Sequence, residues 1–350
     1  MLRRDCEHTL IHTGQNYDYE LSEIFFGDLN LAPPDRYLNS AKGRPMQTIA
    51  SVLAGVDESL RELLPDAVLV LGDTNSGLGV LAARRLNIPT FHMEAGNRCF
   101  DRRVPEEVNR RVIDHVADIN LPYSALAREH LLREGLPPDR VIVTGSPLPE
   151  VLHFYGQSIN ESPIMAKLQI LEDSYYLVSI HREENVDEPV RLTQLVQLLN
   201  HIASTKNLPV IVSTHPRTRE RLQQLGSVFH SSIRLIDPVG FTEYVHLQMK
   251  AKLVLSDSGT ISEESATLGF RALNLRETHE RPEAMEHANV MMIGSSVERF
   301  EQAQQIVGHQ DRDIYSRLTT PYDYQQLNIA EKISRIIHSY VDVIRQNHRA

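Results

Sequence analysis

Four short runs place acid, base and hydroxyl side chains just where a buried apolar stretch ends, the position at which open α/β sheets bind ligands. In 252–269 an apolar run leads into Ser256-Asp257-Ser258-Gly259-Thr260 and then into helical spacing. Backbone N–H groups at a helix start lack intrahelical partners and carry the positive dipole end, so this turn suits a phosphate oxygen. The hydroxyls of Ser258 and Thr260 add donors, Gly259 allows close approach, and Glu264 is spaced to accept from ribose hydroxyls. The same residues also read as an N-cap serine in an acidic, solvated first turn. The stretch 91–110 gathers Glu94, Arg98, Asp101, Glu106, Glu107 and Arg110 past another strand end. Neighbouring carboxylates beside a cleft suit proton abstraction from carbon, one as base and one as acid. Glu106 and Glu107 after Pro105 equally complement the dipole of a helix start. Asp73, in Leu71-Gly72-Asp73-Thr74-Asn75, caps the next helix or joins Glu94 in one cleft. His181 and Arg182, in HREEN, fit a pyrophosphate or a leaving phosphate, or serve as structural hydrogen-bonders.

Other chemistries lack their patterns. No HExxH, CxxC, GxSxG or GxGxxG is present, and His215, His246, His279 and His287 have no ligand spacing. No metal, serine nucleophile or tightly bound nicotinamide is expected.

The elements that must hold these groups alternate along the chain. Apolar, β-branched runs at 67–72, 88–93, 140–145, 175–181, 208–213, 252–256 and 271–275 predict buried parallel strands. Helical spacing occupies 46–64, 77–86, 106–116, 124–134, 189–204, 217–225 and 241–250. The alternation predicts an α/β protein of doubly wound, Rossmann-like domains. At 350 residues two domains are expected. The polar, Pro-rich stretch 146–174 marks the boundary, giving domains at 1–147 and 148–324. An amphipathic helix at 325–350, with Ile329, Ile333, Ile336 and Ile337 on one stripe, should pack back on the first domain.

Composition narrows the class. A formal charge of −10 argues against nucleic-acid binding, which needs a basic surface. Two cysteines, Cys6 and Cys99, are too few for a disulfide framework. No apolar stretch is long enough for a membrane span or signal peptide, so a cytoplasmic enzyme is expected.

Taken together, HTGQNYD (12–18), LGDTN (71–75), HMEAGNR (92–98), VPEEVNR (104–110), HREEN (181–185), SDSGTISEE (256–264) and HERPE (279–283) resemble the non-hydrolysing UDP-N-acetylglucosamine 2-epimerase family. Several forms, namely NYD after HTGQ, EAGNR rather than EAGLR, and SGT rather than SGG, are most similar to the branch that makes UDP-N-acetyl-L-fucosamine from its talo-configured precursor. The resemblance implies two Rossmann-like domains with a GT-B-like arrangement and a deep interdomain cleft. It implies a UDP-2-acetamido sugar substrate, no cofactor or metal, and a homodimer. It places Ser258, Gly259 and Thr260 on the diphosphate, Glu264 on ribose, Tyr244 near the uracil, and Gln15, Arg110, Arg182 and Arg281 among the substrate-binding residues. Asp73, Glu94 and Glu106 match the family's catalytic carboxylates, with His181 beside the phosphates and sugar. The implied reaction removes the C2 proton as UDP leaves C1, then re-adds UDP with protonation of the opposite face of C2.

Two departures bear on these expectations. The family's amino-terminal strand and GTRPE-type turn, which supplies a phosphate-binding arginine, is absent, and the strand HTLIHTG (8–14) follows Met1 closely. A misplaced start or a truncated chain is the expected cause. Asn16 stands where regulated relatives carry a histidine, so activation by a second UDP-sugar is not expected. Two other readings stay open: a GT-B-type UDP-sugar glycosyltransferase, and an inactive UDP-sugar-binding protein.

Overall fold

Every strand pair among the described residues of the computed structural model, 2–14, 19–101, 104–278, 281–309 and 320–349, is parallel. The chain divides into two units: Met1–Glu23 with Leu31–Glu150 and Gln326–Ala350, and Ile24–Asn30 with Val151–Gln325.

In the first unit, β1 (Ile11–His12) pairs with β2 (Arg36–Tyr37), and β3 (Val68–Leu71), β4 (Thr90–Met93) and β5 (Ile119–Leu121) form a sheet in that order. All of β4 is buried. The Ile329–Arg349 helix lays Ile329, Ile333 and Ile344 against Phe91, Met93, Ile119 and Leu121. Burying each such side chain contributes about 1.5–3 kcal/mol, so this apolar stripe fixes the helix to the sheet. The turn after β4 is held close to the Ala125–Arg133 helix. Gly96 there has φ +82°, and a Cβ would lie 2.3 Å from the Ala127 carbonyl oxygen, so only glycine fits.

In the second unit, β6 (Tyr176–Ser179), β7 (Val210–Ser213), β8 (Ile233–Ile236), β9 (Leu253–Ser256), β10 (Ala272–Asn274) and β11 (Met291–Met292) form one sheet, ordered β11-β10-β9-β6-β7-β8. Its strands are apolar on both faces, with Tyr176, Val178, Val212 and Leu255 in one core and Leu177, Ile211 and Val254 in the other. The Pro189–Lys206 and Val297–Gly308 helices cover the first face; the Phe241–Lys250 and Ile261–Leu268 helices cover the second. Strand order reverses where β6 meets β9, and such a switch point opens a crevice at the carboxyl ends of the strands.

The structure departs from the sequence reading at particular elements. β5 and β8, which the sequence reading did not mark as strands, each carry a polar residue inside a short apolar run, Asn120 and Arg234. The 140–145 run contributes a single bridge, Val141 to Asn120, in place of a strand. The 146–174 stretch holds three short helices, Leu148–Phe154, Gly156–Asn160 and Ile164–Leu168. Residues Ile24–Asn30 join the second unit. There Asp28 accepts from the Thr242 amide and hydroxyl, both at 2.8 Å, and Tyr155 donates to the Leu29 carbonyl at 2.6 Å.

Candidate functional site

In the second unit, β6 runs into His181 and Arg182, and its neighbour β9 runs into Ser258-Gly259-Thr260, with Ser179 and Ser256 in register. Asp257 ties the two exits together. Its buried carboxylate accepts from the backbone N–H of His181 at 3.1 Å and of Arg182 at 3.0 Å, and from the Asn185 amide at 2.9 Å. The His181 Nδ1 lies 2.9 Å from Asp257 Oδ1, while the ring is 45% exposed. Burial alone would raise the Asp257 pKa; the hydrogen bonds from His181 and Asn185 and the His181 charge outweigh it and hold the carboxylate below its ordinary value.

The following turn is prearranged. Ser258 N–H donates to Ser256 Oγ at 3.0 Å, the hydroxyls of Ser258 and Thr260 lie 2.9 Å apart, and Thr260 donates to Glu264 at 2.8 Å. The hydroxyls expected to face a phosphate are thus linked to one another, and a ligand would have to share them. The first N–H groups of the Ile261–Leu268 helix lack intrahelical partners by geometry. Glu264 also accepts from the Gln248 amide at 2.5 Å, and burial raises its pKa above the ordinary carboxylate value. Arg281, in the loop after β10, pairs with buried Glu263 on that helix at 2.7 Å. Tyr244 packs against the core that contains Leu177 and Leu247, and burial raises its phenol pKa. A groove of about 550 Å³, lined in part by Arg276, Glu277 and Arg299, opens at the carboxyl ends of β10 and β11.

In the first unit, Asp73 follows β3, Glu94 follows β4, and Glu106 lies in the first turn of the Pro105–Val116 helix. Arg110, buried one turn on, donates through Nε to Asp73 at 3.0 Å and through Nη1 to Glu107 at 2.8 Å. Gly72 and Glu94 both have positive φ, +71° and +65°, and a Cβ on Gly72 would stand 3.1 Å from Glu94 Oε2. The turn therefore lets the Glu94 carboxylate lie over the β3 exit. Asn97 donates to Glu94 Oε1 at 3.3 Å. Behind them, buried Asp114 lies 2.9 Å from His92 Nδ1 and accepts from Arg98 at 2.7 Å, while His92 Nε2 lies 2.9 Å from the Gly72 carbonyl oxygen.

Asp73, Glu94, Glu106 and Arg110 thus gather in one unit, and His181, Arg182, Tyr244, Ser258, Gly259, Thr260, Glu264 and Arg281 in the other. Gln15, Asn16, His279 and Glu280 lie outside the described residues. Sequence reasoning gave no role to Asp114, on the last turns of the Pro105–Val116 helix, named Asp257 only as part of the phosphate turn, and left Glu107 open between a cleft carboxylate and a residue of the helix start. Burial is what distinguishes them: each is at most 1% exposed, and no local spacing reports that. Among the described residues, no cluster of three or more His, Cys, Asp or Glu is placed to hold a metal ion, and no helix is long and apolar enough to cross a membrane.

Known proteins share this architecture. A profile of the UDP-N-acetylglucosamine 2-epimerase family matches residues 1–338. The UDP-2,3-diacetamido-2,3-dideoxy-D-glucuronate 2-epimerase of Pseudomonas aeruginosa is 36% identical over 290 residues, which cover 82% of this chain and 80% of that one. The structure of UDP-N-acetylglucosamine 2-epimerase from Rickettsia bellii superposes with a TM-score of 0.90 at 43% identity, covering 99% of this chain and 92% of that one. The Methanocaldococcus jannaschii UDP-GlcNAc 2-epimerase, crystallised with UDP-GlcNAc and UDP, gives a TM-score of 0.89 at 32% identity, covering 97% and 94%.

Proposed function

The chain belongs to the UDP-N-acetylglucosamine 2-epimerase family, and from that premise we propose which sugar it takes and which residues move its protons. It is an isomerase, a non-hydrolysing C2 epimerase of a UDP-sugar with two Rossmann-like domains. Our reading of the substrate is UDP-2-acetamido-2,6-dideoxy-L-talose, converted to UDP-N-acetyl-L-fucosamine. Its support is the form of the motifs, NYD after HTGQ, EAGNR and SGT. The UDP-GlcNAc and UDP-ManNAc pair is the second reading, favoured by the 43% identity to the Rickettsia bellii enzyme.

The roles follow from position. The second unit holds UDP: the Gly259 turn and helix start take the diphosphate, with Arg182 and Arg281 supplying charge. Glu264 accepts from ribose, Tyr244 lies toward the uracil, and His181 turns Nε2 to the phosphates. The first unit supplies the proton-transfer groups. One of Asp73, Glu94 and Glu106 takes the C2 proton as the C1–O bond breaks and UDP departs with the electron pair, leaving a 2-acetamidoglycal. UDP then re-adds at C1 while a carboxyl group returns a proton to the other face of C2. Arg110 holds Asp73 in place. The observation that carries this reading is the gathering of Asp73 and Glu94 at adjacent strand ends, in the same unit as a helix whose first turn carries Glu106 and which buries Arg110. We place the enzyme in the cytoplasm, as a homodimer, in keeping with its two free cysteines and the family resemblance.

Incubating the protein with the talo-configured nucleotide and, separately, with UDP-N-acetylglucosamine, and following the C2 epimers by proton NMR, tests the substrate reading. Faster turnover of the talo compound supports it; turnover of UDP-N-acetylglucosamine alone overturns it.

A further inference from the structure

We propose that Asp257 is a positioning residue for the epimerase reaction, fixing the tautomer and direction of His181 and clamping the 181–185 turn against the exit of β9. The proposal rests on the reading that His181 meets the diphosphate.

The geometry leaves Asp257 one role. Its carboxylate is fully buried yet is surrounded by donors: the amides of His181 at 3.1 Å to both oxygens, the amide of Arg182 at 3.0 Å and the Asn185 side chain at 2.9 Å. An ionised carboxylate only accepts, so the His181 Nδ1 that stands 2.9 Å from Oδ1 must carry a hydrogen. The neutral ring then has its lone pair on Nε2, on the half-exposed side. Without Asp257 the ring could flip, or carry its proton on Nε2 instead.

The location adds a second consequence. Asp257 lies just past the end of β9, immediately before Ser258-Gly259-Thr260, and its partners all follow β6, the strand beside it. One carboxylate therefore sets the distance from the imidazole to the phosphate turn. Asn185 extends the clamp, since its Oδ1 accepts from Arg191 Nε at 2.8 Å, which anchors the turn to the Pro189–Lys206 helix.

A merely structural clamp and a positioning residue differ in what Asp257→Asn does. In protein labelled with 15N at histidine, the ring nitrogens of ligand-free wild type should report an Nδ1-protonated His181 at a pH where the ring is neutral. Asp257→Asn should mix the tautomers and lower kcat by roughly 10- to 100-fold, as outer partners of functional histidines do, with UDP affinity kept within about threefold. In a His181→Gln background the same change should cost less than about twofold further, because the two residues act as one unit. An Nε2-protonated wild-type ring overturns the proposal even if the variant fails to fold, and so does full additivity of the two substitutions. If the wild type turns over no UDP-sugar while the ring keeps its Nδ1 proton, the functional reading falls and the placement of His181 stands.

Discussion

Arg110 joins two carboxylates that lie on different elements, donating to Asp73 beyond β3 at 3.0 Å and to Glu107 on its own helix at 2.8 Å. Glu107 in turn accepts from the Cys99 amide at 3.1 Å, so the guanidinium sits at the hub of the turn that carries Glu94 to Glu106. Burial would raise the Glu107 pKa, but these donors keep it below its ordinary value.

Replacing Arg110 by Met should therefore be costly, because it leaves Glu107 buried without its closest cation. The expected loss is about 3 kcal/mol of unfolding free energy in urea titration. Arg110→Lys should recover little of it, since one ammonium cannot span both carboxylates. A loss for Arg110→Met below about 0.5 kcal/mol, the range of ordinary surface changes, would refute the hub.

Asp114 predicts an acid limb. Burial raises its pKa, yet the hydrogen bond and charge of His92 and the charge of Arg98 bring it below the ordinary 3.8. A depressed carboxylate contributes stability that is fully present above its unfolded value and is lost as pH falls through the folded value. Unfolding free energy of the wild type should thus drop as pH falls below 3.8, and Asp114→Asn should flatten that part of the curve while lowering stability at neutral pH. Urea melts at stepped pH read it; parallel curves would contradict it.

Glu264 has the opposite sign. Burial raises its pKa above the ordinary 4.5, so the stability it contributes is present below 4.5 and lost as pH rises through the folded value. At neutral pH, Glu264→Gln should leave the ligand-free protein as stable or more stable, with the Gln248 amide turned over to match. UDP affinity should nonetheless fall by about tenfold, as for a lost hydrogen bond to a charged group. Calorimetric titration and thermal melts separate the two effects. Unchanged UDP affinity would remove Glu264 from the ribose.

Much of the fold was legible because buried parallel strands show as apolar runs, as in Tyr176–Ser179 and Leu253–Ser256, and their exits carry candidate residues; Val68–Leu71 is as apolar but only half-buried, with Leu71 exposed. β5 and β8 were not, since Asn120 and Arg234 interrupt them, and the Val297–Gly308 helix has no marked start in sequence beyond Ser296. Within the site, residue type and spacing pointed to Asp73, Glu94 and the Ser258 turn. They could not distinguish Glu106 from Glu107, because adjacent residues of a helix start differ only in which one the fold buries. The contacts of Asp257 and Asp114 span 72–76 and 16–22 residues, and only tertiary packing brings such partners together.

The central claim is proton exchange at C2 by carboxylates of the first unit, with UDP leaving and returning. Incubating the enzyme with its UDP-sugar in deuterated water and reading C2 by NMR tests it most directly. The account predicts deuterium at C2 in both epimers, incorporated orders of magnitude more slowly by Glu94→Gln and Glu106→Gln while their UDP affinity stays within a few-fold. A sugar nucleotide that binds wild type yet stays unlabelled at C2 would contradict it.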